Sequence, residues 1–82
     1  MSSRWSFKSL PGKQFELILL ETAPYSSEHP YEDILYRTGY VSSNLADILK
    51  AQWYLNSGIN YGLPEKNINI LNYFKNYVSQ RF

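Results

Sequence analysis

The sequence has 82 residues, no cysteine and a formal net charge of +1. A domain of this size buries only about 60% of the surface that its unfolded chain exposes, and neither disulfides nor cysteine-bound metal can reinforce it. Its longest aliphatic run, Leu17–Leu20, is far short of the roughly 20 residues that a membrane span needs. We therefore expect a single domain over residues 1–82, with a cytoplasmic location and no membrane partner, stabilised by its eight Tyr, four Phe and two Trp.

Residues 4–21 are predicted to form a β-hairpin. Trp5 and Phe7 alternate with polar residues, which is the period of a half-buried strand. The Pro11-Gly12 pair then suits a type II turn, because proline fixes the first central φ and glycine accepts the positive second one. The competing interpretation is a helix over residues 14–21, where Phe15, Ile18 and Leu19 also match helical spacing.

The next segments are predicted to be a loop and a short helix. Thr22–Pro30 is bracketed by two prolines and has the composition of a loop. Pro30 can begin a helix, because its missing N–H has no helical partner in the first turn. We expect this helix to extend to about Thr38 and to end at Gly39, with an inner face made of Tyr31, Ile34 and Leu35.

Ser42–Gly58 has the strongest helical pattern in the chain. Ser42 or Ser43 can cap its first turn, and Gly58 can adopt the left-handed conformation that closes a helix. Tyr54 falls on the polar side of this helix. The apolar side is predicted to face the core and consists of Leu45, Ile48, Leu49, Trp53 and Leu55.

A last helix is predicted to begin at Pro64 and to pack through a stripe of Ile70, Leu71, Phe74, Tyr77 and Val78. The predicted fold is therefore α+β, with an N-terminal β-hairpin followed by three α-helices in one compact domain. An all-α four-helix bundle is the alternative, which would follow if residues 14–21 were helical.

The residue types that carry out catalysis or bind metal are sparse. His29, the one histidine, is flanked by Glu28, Glu32 and Asp33. A metal site needs three or four ligands in fixed geometry, and neighbours on one short segment cannot all point at one centre. We therefore predict no enzyme activity, no metal site and no cofactor.

Residues 34–50 resemble the helix-turn-helix of DNA-binding proteins, with Gly39 in the turn and a second helix after it. In that arrangement Ser42, Ser43 and Lys50 would contact the nucleic acid. The position four before the turn glycine, which usually takes a small residue, is Leu35. Phosphate contacts supply much of the affinity of such proteins, and this surface carries few cations, so nucleic-acid binding is the alternative function.

The favoured function is a non-enzymatic protein-binding or small regulatory module that uses an aromatic-rich helical surface. Tyrosine is enriched at protein interfaces, and Tyr54 and Tyr61 are the aromatic residues that the predicted helices leave exposed. Lys50 lies one turn before Tyr54 on the same helix. We expect these three residues to contact another protein or a second copy of the chain.

Overall fold

The computed structural model describes residues 2–23 and 32–81 of the chain. In these ranges an antiparallel sheet with strand order β1-β2-β3 is followed by two helices. The elements are β1 (Ser2–Leu10), β2 (Gln14–Ala23), β3 (Glu32–Ser42), α1 (Leu45–Ser57) and α2 (Glu65–Arg81). The α+β class is therefore confirmed, whereas the prediction of three helices and the four-helix alternative are wrong.

The N-terminal hairpin is confirmed. β1 and β2 pair without a register shift from Ser2 opposite Thr22 to Leu10 opposite Gln14. Gly12 has the positive φ of 78° that the turn requires, and Lys13 is also left-handed, at 57°. The loop therefore has one residue more than a two-residue turn, and β2 extends to Ala23, into the predicted loop. The rest of that loop lies outside the described residues.

The predicted helix from Pro30 to Thr38 is wrong, because the described part of this segment belongs to β3. Its β-branched and aromatic residues alternate between the two faces of a sheet, so Tyr36 lies opposite Leu19 while Leu35 lies opposite Leu20. A bulge interrupts the pairing with β2. Glu16 lies opposite Val41 and Ile18 lies opposite Arg37, so two residues along β2 correspond to four residues along β3. Gly39 has a φ of 77° in this bulge and ends no helix.

The hydrophobic core lies between one face of the sheet and the two helices. Alternate residues of the hairpin point toward the helices, which is why side chains from both strands meet there. The buried cluster consists of Trp5, Leu17, Leu19, Ala51, Leu55, Leu63 and Leu71, with Tyr36 and Tyr40 of β3 packed against it.

Helix α1 is capped by Asn44, whose side-chain oxygen accepts a hydrogen bond from the Ala46 N–H at 3.0 Å. The prediction of a cap at Ser42 or Ser43 is therefore wrong by one or two residues. The predicted end at Gly58 is confirmed, because this glycine has a φ of 77° and donates its N–H to the Tyr54 carbonyl at 2.8 Å.

Helix α2 begins directly after Pro64, close to the prediction, but its apolar stripe is only partly buried. Leu71 is fully buried, and Phe74 and Val78 pack against the core cluster. Ile70 and Tyr77, predicted to be inside, are 44% and 50% exposed. A cleft of about 320 Å³ separates this part of α2 from the sheet. It is lined by Trp5, Leu19, Tyr36, Arg37, Thr38, Tyr73, Phe74, Tyr77 and Val78.

No helix within the described ranges is both long enough and apolar enough to cross a lipid bilayer.

The docking of α2 can be tested by truncating Leu71, the one fully buried side chain among residues 65–79, where the burial of the helix is described. Leu71→Ala leaves a cavity in the core, and we expect a loss of about 2–5 kcal/mol in the free energy of unfolding. Ile70→Ala is the matched control on the same helix, and it should cost less than about 1 kcal/mol because its side chain is already half in water. Urea denaturation measures both. Equal losses would show that α2 is oriented differently.

Candidate functional site

The described residues contain no group of three or more His, Asp or Glu side chains arranged to hold a metal ion. The hypothesis of a site at His29 and Glu28 lies outside the described residues. Glu32 and Asp33 belong to the start of β3. Among the described residues, the pKa is shifted from its ordinary value at Glu16 and at Tyr40.

Glu16 is a buried carboxylate in the central strand, with 1% of its surface exposed. One of its oxygens accepts from the Arg37 Nε at 2.8 Å, and the other accepts from the Gly39 N–H at 2.9 Å. The Lys8 Nζ lies 4.0 Å away. Burial by itself raises the pKa of Glu16, but these hydrogen bonds and positive charges together hold the pKa below its ordinary value. Glu16 is therefore ionised at neutral pH and fully engaged, which suits a structural role rather than acid–base catalysis.

Tyr40 is the other perturbed group. Burial raises the pKa of its phenol, the hydrogen bond from Asn67 opposes that rise, and the negative charge of Asp47 adds to it. The Asn67 amide donates to the Tyr40 oxygen at 2.9 Å. The phenol therefore stays protonated at neutral pH and links β3 to α2.

The helix-turn-helix arrangement predicted over residues 34–50 is not formed, because its first helix is the strand β3. Ser42 is the last residue of that strand, and its hydroxyl accepts from the Asn44 N–H at 3.0 Å. Ser43 is exposed between strand and helix, and Lys50 is half-buried on α1. The geometry that favoured nucleic-acid contacts by these three residues is therefore absent.

The outward side of α1 carries Trp53 instead of Tyr54. Tyr54 is half-buried against the core, and its hydroxyl donates to the Asn72 side-chain oxygen at 2.7 Å. Trp53, predicted to be in the core, is 44% exposed. The buried face of α1 includes Ala51, and two residues further on a helix turns by about 200°. The predicted positions of both aromatic residues are therefore wrong, since Trp53 lies opposite the core.

Trp53 forms an exposed apolar surface with two residues of the segment that joins the helices. The Trp53 and Tyr61 rings meet edge to face, with centroids 5.3 Å apart and planes at 68°. Tyr61 is 44% exposed, as predicted, and Ile59 is 53% exposed. We call Trp53, Ile59 and Tyr61 the corner surface. Of its three members, only Tyr61 is predicted from the sequence to be an exposed contact.

The corner surface is held in place by hydrogen bonds within its own segment. The Ser57 hydroxyl donates to the Trp53 carbonyl and accepts from the Ile59 N–H at 3.3 Å. The Asn60 side-chain oxygen accepts from the Leu63 N–H at 2.8 Å, and Leu63 is buried in the core. These serine and asparagine turns order the connector between the helices. The sequence pattern Ser-Gly followed by Asn-x-Gly is typical of such turns and could have indicated an ordered connector.

No protein-family model, curated protein or solved structure matches this chain. The function is therefore argued from the geometry of the corner surface.

Replacing Glu16 tests its structural role. Glu16→Gln removes the charge that Arg37 and the Gly39 N–H stabilise, and at pH 7 we expect a loss of about 1–3 kcal/mol in the free energy of unfolding. A carboxylate whose folded pKa is lowered contributes stability above its unfolded pKa, and that contribution disappears as the pH falls through the folded value. The variant should therefore lose less stability than the wild type on acidification below about pH 5.

Glu65→Gln, at an exposed position in the first turn of α2, is the control for Glu16→Gln. This control substitution should lower the free energy of unfolding by less than about 1 kcal/mol. Urea denaturation at several pH values measures both variants. A Glu16→Gln protein as stable as the wild type at pH 7 would contradict the structural role.

The hydroxyl of Tyr54 provides a second test of the geometry. Tyr54→Phe removes its hydrogen bond to Asn72, and we expect a loss of about 0.5–1.5 kcal/mol in stability. Tyr61→Phe is the matched control and should change stability by less than about 0.5 kcal/mol, because Tyr61 lies at the surface. Thermal and urea denaturation measure both variants. If Tyr54→Phe were as stable as the wild type, the Tyr54 hydroxyl would be bonded to water and not to Asn72.

Proposed function

We propose that this chain is a non-enzymatic protein-binding module with a regulatory role, which binds another protein or a second copy through the corner surface. A cytoplasmic setting is part of the same proposal. The observation that carries it is the exposure of Trp53 on α1 together with Ile59 and Tyr61 on the hydrogen-bonded connector that follows the helix.

The side-chain types support the proposal. Tryptophan and tyrosine are the residues most enriched among those that dominate binding energy at protein interfaces. Large aromatic rings bury much area while few torsions must be fixed, so they bind at a small cost in conformational entropy. The contact between the Trp53 and Tyr61 rings lowers this cost further, because each ring already limits the other.

The charge beside the corner surface supports a partner with an acidic rim. Lys50 lies one turn before Trp53 on α1, at a spacing that brings two helical side chains onto the same side. Charges at the rim of an interface mainly set the rate and specificity of association. Lys50, predicted from the sequence to lie at the binding surface, keeps that role in this proposal, whereas Tyr54 packs against the core.

The proposal assigns no catalytic step to the chain. Glu16, a buried carboxylate with a lowered pKa, has both oxygens engaged by groups of its own sheet. The protonated phenol of Tyr40 is engaged by Asn67. Neither group is poised near neutral pH, where a general acid or base works best.

The test compares capture by the wild-type chain with capture by Trp53→Ala and Tyr61→Ala. Each chain is immobilised and exposed to a lysate of its native host, and the bound proteins are quantified by mass spectrometry. A partner recovered by the wild type should bind either variant on the order of 30-fold more weakly, which corresponds to about 2 kcal/mol for one dominant aromatic contact. Light scattering at several concentrations detects a second copy as the partner.

Tyr73→Ala is the matched control, because Tyr73 is 70% exposed on α2 and is not part of the corner surface. It should leave the affinity for the partner within about twofold of the wild-type value. Circular dichroism establishes that each variant is folded. Partners that bind folded Trp53→Ala and Tyr61→Ala as tightly as the wild type would overturn the proposal.

A further inference from the structure

β1 lies at an edge of the sheet, since β2 is its neighbour on one side and no described strand pairs with the other. The backbone N–H and C=O groups along such an edge form a template on which another strand can add. Soluble proteins that remain monomeric protect such edges with charges, bulges or covering side chains.

The side-chain amide of Asn56 occupies the middle of this edge. Its oxygen accepts from the Trp5 N–H at 3.1 Å, and its nitrogen donates to the Trp5 carbonyl at 3.1 Å. Both backbone groups of Trp5 are therefore directed away from β2. A neighbouring strand would make the same two bonds with Trp5, so Asn56, near the end of α1, takes the place of that strand.

The other outward positions of β1 follow from the regular pairing. β1 and β2 run in register from Ser2 to Leu10 without a bulge, so every second residue repeats the orientation of Trp5. Ser3, Phe7 and Ser9 thus direct their backbone groups outward. Within the described ranges no side chain hydrogen-bonds to those groups, in contrast to Trp5. The edge has one capped position near its centre and open positions on either side.

We propose that the Asn56 amide is an edge cap, and that its removal turns β1 into a pairing site for β1 of a second copy of the chain. A second copy presents the same edge, and antiparallel pairing about a twofold axis joins like edges with both sets of backbone groups satisfied. The cap blocks this pairing because a strand cannot approach Trp5 while the amide is in place.

Charge adds a second, weaker barrier to the same pairing. Arg4 and Lys8 lie on the face of β1 opposite to Trp5, so two antiparallel copies would bring like charges near each other. Exposed charges are screened by salt, whereas the contact of Asn56 with the backbone is not. Association of a chain without the cap should therefore increase with ionic strength.

The test is the molar mass of Asn56→Ala, measured by light scattering during gel filtration over a range of concentrations. We expect a shift toward twice the wild-type mass, stronger at high salt. Asn76→Ala, which alters an exposed position of α2, should elute like the wild type. Adding Ser9→Pro to Asn56→Ala should restore the wild-type mass, because proline removes an outward N–H of β1 without breaking a bond to β2.

Asn56→Ser keeps the proposal testable if Asn56→Ala fails to fold. Its hydroxyl keeps a polar group at this exposed position, but the side chain is too short to bridge the N–H and the carbonyl of Trp5, so the middle of the edge is open. A folded variant at Asn56 that keeps the wild-type mass would overturn the proposal. So would an increased mass that Ser9→Pro does not reverse, because the association would then involve another surface.

Hydrogen exchange of the wild-type chain tests the cap without any substitution. The Trp5 amide should exchange at least about fivefold more slowly than the amides of Phe7 and Ser9, since its hydrogen bond to Asn56 must open before it can exchange. Equal exchange at the three positions would overturn the proposal, whatever the mass of the variants.

Discussion

The fold depends on how the sheet accommodates the buried carboxylate of Glu16. Glu16 lies in the central strand, and its side chain is contacted by Lys8 of β1 on one side and by Arg37 and Gly39 of β3 on the other. An unpaired carboxylate at this position would be costly to bury, whereas this one is ionised and hydrogen-bonded at both oxygens. Both donors from β3, the Arg37 side chain and the Gly39 N–H, lie in the bulge, so their hydrogen bonds to Glu16 determine where the strand bulges. Gly39 supplies the positive φ that the bulge needs.

The size of the bulge determines which side chains of β3 reach the core. Two extra residues are accommodated between Arg37 and Val41, and an insertion of two preserves the alternation of a strand. Tyr36 before the bulge and Tyr40 after it therefore both pack against the core cluster. An insertion of one residue would have turned Tyr40 to the other face and broken its link to Asn67 on α2. The polar cluster on one face thereby positions the aromatic residues on the other.

Local patterns in the sequence predict the hairpin, the end of α1 and the start of α2, because Pro11-Gly12, Gly58 and Pro64 act through their own backbone restrictions. β3 could not be predicted this way. Its boundaries fit a helix equally well, and the interactions that decide for a strand join Glu16 to residues more than 20 positions away. The prediction that Trp53 lies in the core is wrong for a related reason. Periodicity identifies an amphipathic helix, but packing decides which side is inward, and the hydrogen bond of Tyr54 to Asn72 crosses to another helix.

The central role of Glu16 can be tested by following the Gly39 amide proton by NMR as the pH is lowered. A backbone N–H that donates to a carboxylate reports the protonation of that group, so its chemical shift should titrate with Glu16. We expect one transition whose midpoint lies below the ordinary pKa of glutamate, because Arg37 and Gly39 stabilise the ionised form. A Gly39 amide that does not titrate, or that titrates at or above the ordinary pKa of glutamate, would show that Glu16 is not held ionised by Arg37 and Gly39.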